Sequence, residues 1–166
     1  MQFVRALFSS MNSILRIFLL IALLGVPVWA QRGASIGDVV DRADALVLVF
    51  PIYWWSLPGL LKGWIDRVFV NGWAIDYGPD TPVVKKLRHL QVHLLALGAA
   101  DQSAFERHGY AKAMHTQIDY GIFDYCGAQV LTSALLLESE SGQVQVHLDH
   151  AKAVGQGLFE TETVAG

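Results

Sequence analysis

Ala45–Phe50 reads Ala-Leu-Val-Leu-Val-Phe, an apolar run with no polar interruption. A strand with one solvated face alternates apolar and polar side chains, so this run predicts a strand covered on both faces. Such strands belong to parallel sheets with helices above and below. Pro51 has no N–H to give to a ladder, so the strand is expected to stop there, with Ile52–Ser56 as a loop at its carboxyl end. Pro58 suits the first turn of a helix, predicted over Leu60–Phe69 with Leu61, Ile65, Val68 and Phe69 facing inward. Tyr53, Trp54 and Trp55 fall together between strand and helix. In open α/β sheets that is where ligands bind. Aromatic rings beside free backbone N–H groups suit a planar, partly polar ligand, but clustered aromatics serve a core or an interface equally well.

The rest of the chain repeats the pattern. Leu90–Leu97 predicts a second buried strand, followed by Gly98-Ala99-Ala100, whose backbone N–H groups could border the same ligand. Val130–Leu137 predicts a third strand. Helices are expected over about Ala111–Tyr125, closed by Cys126-Gly127, and over Val144–Leu158. Asp76–Pro82 reads as a Gly- and Pro-rich loop, and Asp101–His108 as a loop or short helical turn. Trp73 is open between a pocket wall and a surface or subunit contact, and Lys85, Lys86 and Arg88 read as a solvated face. His93 reads as a core histidine with its hydrogen bonds satisfied. His147 and His150 are placed on a solvated helix face; no further ligand lies near them in sequence, so no metal site is assigned. Glu160–Gly166 reads as a frayed tail.

At 166 residues, 53% hydrophobic and 16% charged, the chain can bury one core and is not of disordered composition. A net charge of −3 without a basic patch argues against nucleic acid as a partner. The single Cys126 excludes an internal disulfide and reads as core filler.

Residues 1–33 differ in kind, with Arg5, Arg16 and Arg32 and no acidic residue. Ile17–Val28 is an uncharged run behind Arg16, with small Ala30 before Gln31, the parts of a secretory signal or a membrane contact through residues 14–30. Two alternatives stand beside that reading. The region could be replaced sequence, or a shortened first βα unit with Phe3–Phe8 as strand, Ser10 and Asn12 at a helix start suited to phosphate, and Val26–Ala30 as second strand.

The string P-x-Y-W-x-S-x-P-x-x-L-K-G-W-I-D-R-V-F, from Pro51 to Phe69, closely resembles the signature loop and helix of the flavodoxin-like NAD(P)H:quinone oxidoreductases, the DT-diaphorase and modulator of drug activity B group. The resemblance runs from about Asp38 to Phe159. It implies an α/β, flavodoxin-like doubly wound parallel sheet over residues 34–160, lacking the usual first strand or strands if residues 1–33 do not supply them. It also implies a flavin (FAD, with FMN the alternative), NAD(P)H as co-substrate, a quinone-like acceptor reduced in a ping-pong cycle, a homodimer and a cytoplasmic location. The signal-like amino terminus supports the alternative of export or membrane attachment. Pro51, Ile52, Tyr53, Trp54 and Trp55 would bed and wall the flavin ring, with Gly98 and Ala99 along its other edge. The tyrosine and histidine that assist hydride transfer in mammalian-type members fall on Phe105 and Ala111 here, so Tyr110, with His108 beside it, becomes the catalytic candidate. The competing function is a non-catalytic, truncated relative that keeps the signature for packing or partner contact. The exposed edge of the 45–50 strand requires cover, so residues 3–30 are expected to supply it or the chain to be poorly stable alone.

Overall fold

The computed structural model describes residues 17–21, 40–142 and 144–158, the first of these as backbone only. The chain order is β1 (Ile17–Ile21), β2 (Ala45–Pro51), α1 (Gly59–Val68), β3 (Ile75–Gly78), β4 (Thr81–Lys85), β5 (Gln91–Leu97), α2 (Gln102–His108), α3 (Tyr110–Met114) running on as a π-helix (His115–Asp124), β6 (Gln129–Leu136) and α4 (Val144–Gly157). β1, β2, β5 and β6 form one sheet in the order β1-β2-β5-β6, and every neighbouring pair is parallel.

β2 is buried along its length because its side chains alternate between two cores. Leu46, Leu48 and Phe50 join Val92, Leu94 and Ala96 of β5 beneath Leu61 and Ile65 of α1 and Ile118 and Phe123 of the π-helix. Ala45, Val47 and Val49 join Leu95 and Leu136 beneath Ala151 of α4 and Leu158 just beyond it. Each fully buried Leu or Phe contributes about 1.5–3 kcal/mol relative to exposure, which is why an uninterrupted apolar run is stable here.

The flavodoxin-like strand order is 2-1-3-4-5, and the four strands of this sheet occupy its 1-3-4-5 positions. β1 covers the edge of β2 in the register Ile17↔Ala45 to Ile21↔Val49, so a strand does stand in the first position. It lies inside the run that also read as a signal or membrane contact. Phe3–Phe8, Ser10, Asn12 and Val26–Ala30 fall outside the described residues. Five consecutive apolar residues satisfy a buried strand and an apolar helix equally, and only pairing with β2 separates the two. Among the described residues, no helix is long and apolar enough to cross a membrane.

Three other expectations are corrected. Asp76–Pro82 lies within a β3–β4 antiparallel hairpin instead of a loop. Lys85 and Lys86 do not simply face water: their Nζ atoms donate to the Asp124 and Gly72 carbonyls, each at 2.6 Å. The helix foreseen at 111–125 changes pitch after Met114, and its i→i+5 spacing brings the Thr116 carbonyl within 3.0 Å of where a Cβ on Gly121 would stand. Cys126 is buried, its thiol pushed up by that burial, and Gly127 caps the helix at φ 93°, both as expected.

Candidate functional site

Pro51 ends β2 opposite Leu97 of β5, and the Ile52 N–H donates to the Leu97 carbonyl at 2.7 Å. The chain then reverses. Tyr53 and Ser56 exchange backbone hydrogen bonds, both 3.1 Å, and the two residues between them sit at positive φ, Trp54 at 49° and Trp55 at 60°. Paired left-handed residues mark a type I′ turn, a geometry that normally takes Asn-Gly. A bulky L-residue there costs about 1–2 kcal/mol, and such strain collects at functional sites.

Across the rim, the Gly98 N–H donates to the Leu136 carbonyl, and the Gly98 and Ala100 carbonyls accept from Ser139 and Glu138. The loops after β5 and β6 are thereby tied together. A Cβ on Gly98 would lie 3.0 Å from Leu137 Cδ2 and 3.2 Å from Ile52 Cδ1, so glycine is what lets those two side chains pack against this loop. Between the loops is a cleft of about 260 Å³, lined by Ile52, Trp54 and Trp55 on one side, Gly98, Ala99 and Ala100 on the other, and Phe105. None of these side chains ionises, so polarity must come from the backbone. Among the described residues, the N–H groups of Trp54, Trp55, Ala99 and Ala100 make no hydrogen bond.

Trp55 is held rigidly. Tyr110 stacks on it with centroids 3.8 Å apart and an 8° interplanar angle, and Phe105 meets it edge-on at 5.6 Å. Tyr110 is brought there by a break at Gly109, whose φ of 68° ends α2 and starts α3. Asp101 caps α2 through its Oδ1, accepting from the Ala104 N–H at 2.7 Å; that bond and the Ser103 hydroxyl hold its carboxyl below the ordinary range.

The structure therefore gathers Pro51, Ile52, Tyr53, Trp54, Trp55, Gly98 and Ala99 at one rim. Ile52, Trp54, Trp55, Gly98 and Ala99 line the cleft, Pro51 stands behind them and half-exposed Tyr53 closes the turn. Tyr110 does not line the cleft; it backs Trp55. Phe105 is a lining residue that the sequence reading did not place in the site. Trp73 belongs elsewhere, packed on Phe69 at 5.4 Å with its Nε1–H donated to Asp41 at 3.1 Å.

Two histidines also depart from expectation. His93 is buried, but only Nδ1 has a partner, Thr132 Oγ1 at 2.9 Å, while Nε2 has none among the described residues; burial lowers its pKa and keeps it neutral. His147 Nε2 meets the Leu137 carbonyl at 2.7 Å instead of facing only water.

The family model described as flavodoxin-like fold matches residues 34–156. The chain belongs to the flavodoxin-like fold family. This flavodoxin-like chain is 33% identical over 100 residues to rat (Rattus norvegicus) NAD(P)H dehydrogenase [quinone] 1, covering 58% of this chain and 36% of that protein. It is 42% identical over 69 residues to an NAD(P)H oxidoreductase, YcaK, of Escherichia coli K12, covering 42% of this chain and 32% of that protein. Among solved structures, an NAD(P)H:quinone oxidoreductase from Methanothermobacter marburgensis superposes with a TM-score of 0.63 at 25% identity, covering 73% of this chain and 61% of that one. The chain spans about a third of the length of those two curated relatives.

Proposed function

We propose that the cleft binds the ring of a flavin and that the chain is a flavin-dependent NAD(P)H oxidoreductase reducing quinones or similar acceptors. The observation that carries this is the rim itself: an apolar cleft walled by Trp54 and Trp55, with four backbone N–H groups unspent. An isoalloxazine needs stacking surface and donors for its carbonyl and ring-nitrogen edge, and these residues offer both. The relatives' names support NAD(P)H as donor and a quinone as acceptor. In this reading the two alternate at one face in a ping-pong cycle. FAD is the preferred flavin, FMN the alternative.

A bound flavin would supply the two-electron chemistry. The chain's part is to orient and to exclude water. Trp55, in contact with Phe105 and Tyr110, is a preorganised wall, and the Gly98–Ala99 loop, packed closely on Ile52 and Leu137, borders the opposite edge. Tyr110, stacked on Trp55 outside the cleft lining, is a positioning residue that holds that wall in place. Trp54, 93% exposed, and half-exposed Tyr53 leave the rim apolar toward solvent, which suits a second copy completing the pocket in a homodimer.

Titration of the purified chain with FAD or FMN tests this. Quenched tryptophan emission, a yellow complex and NAD(P)H-dependent quinone reduction are expected, with Tyr110→Ala, which removes the ring stacked on Trp55, binding flavin more weakly. Unchanged emission with both flavins would overturn the proposal in favour of a non-catalytic relative.

A further inference from the structure

At the opposite, amino-terminal edge of the sheet lies a larger cavity of about 630 Å³, bounded by Lys85, Arg88, His115, Asp119 and Asp124 and by the first residues of β6. The π-helix builds it. With i→i+5 bonding each turn takes up between four and five residues, so His115, Asp119 and Asp124 fall along one stripe, which an α-helix would splay apart. Gly127 closes the other side. At its φ of 93° a Cβ would stand 2.9 Å from Lys85 Cβ and 3.1 Å from Arg88 Cγ, so glycine is what lets the cationic segment pack against the end of the helix.

Lys85 meets Asp124, His115 meets Asp119, and Arg88 has no partner among the described residues. Asp119 is a buried carboxylate, its side chain 7% exposed, and its Oδ2 accepts from His115 Nδ1 at 2.8 Å. His115 Nε2 has no partner among the described residues. Lys85 Nζ donates to the Asp124 carbonyl at 2.6 Å and lies 3.5 Å from its Oδ2. The Arg88 guanidinium makes no ion pair or hydrogen bond with a described residue. The cavity wall thus carries two cations and two carboxylates, with Arg88, whose fork fits an oxyanion bidentately, the cation that has no partner among the described residues, and beside it an imidazole oriented by a buried acid.

We propose that this cavity is a second ligand site, for a small organic monoanion bound by its carboxylate to Arg88, with a polar group of the ligand meeting His115 Nε2. It does not rest on the flavin reading. The volume falls within the roughly 300–1,000 Å³ of small-molecule sites, and the two buried or paired aspartates exclude multiply charged anions by repulsion.

The test is an NMR titration of the flavin-free chain, and again of the flavin-saturated one, with sodium benzoate and with inorganic phosphate, following the Arg88 Nε–H and the His115 ring. Saturable shifts of both groups with benzoate are expected, weakened about tenfold or more by Arg88→Ala and reduced by His115→Gln. Arg88 and His115 are exposed, so both variants should keep the fold. Absence of saturation with benzoate, saturation with phosphate alone, or benzoate binding unaffected by Arg88→Ala would each overturn the proposal.

Discussion

The Tyr53–Ser56 turn holds two tryptophans in a backbone region that L-residues avoid, and replacing one of them separates strain from contact. Trp54 has φ 49° and leaves 93% of its surface in solvent. The covered remainder of a side chain of about 150–250 Å² is worth under about 0.5 kcal/mol at roughly 25 cal/mol/Å². Relief of left-handed strain is worth about 1–2 kcal/mol, and asparagine is among the residues that tolerate that region best. Trp54→Asn should therefore stabilise the chain by about 0.5–1.5 kcal/mol, a rise in Tm of about 1–6 °C for a domain of this size. Trp54→Ala is the control, because alanine loses the same burial but gains little conformational relief. Urea denaturation of the three proteins reads the difference, with flavin titration beside it, where Trp54→Asn should bind several-fold more weakly. A gain in stability with a loss of binding is the trade expected of strain kept for a ligand. An asparagine variant no more stable than the alanine one would refute the strain argument.

Two further outcomes follow from buried groups and close approaches. His93 is kept neutral by burial, its pKa below the 6.5 of a free histidine, so as pH falls through about 6.5 the unfolded chain takes up a proton before the folded one does. The stability held above that pH should drain away as pH falls toward the folded pKa, and the advantage of wild type over His93→Leu should shrink with it in urea melts between pH 8 and 5; a constant difference would contradict this. Gly127→Ala meets Lys85 Cβ at 2.9 Å at a φ of 93° and should cost about 1–3 kcal/mol. Gly63→Ala in α1 meets nothing within 4 Å and should gain up to about 1 kcal/mol by calorimetry, so equal effects at the two sites would show that backbone geometry is not what distinguishes them.

Local pattern in the sequence was enough for β2, α1, β5, β6 and α4, and so for the parallel class of the sheet. A run without polar interruption declares burial on both faces, and Pro51 and Pro58 mark where strand and helix change over. The placing of Trp54, Trp55, Gly98 and Ala99 at one rim was legible for the same reason, since strands that run parallel bring their carboxyl ends together. Tertiary structure alone decided the rest. Ile17–Ile21 becomes a strand because β2 offers it an unpaired edge, a fact not written in its own five residues. The turn adopts paired left-handed tryptophans because Tyr53 and Ser56 must meet across it, and Tyr110 becomes the backing of Trp55 because Gly109 breaks the helix between α2 and α3. The widened helix from His115 to Asp124, and with it the charged cavity, depends on Gly121 passing close to the Thr116 carbonyl and Gly127 passing close to Lys85. Periodicity reports which side of an element is apolar; it carries no record of which distant segment comes to lie against it.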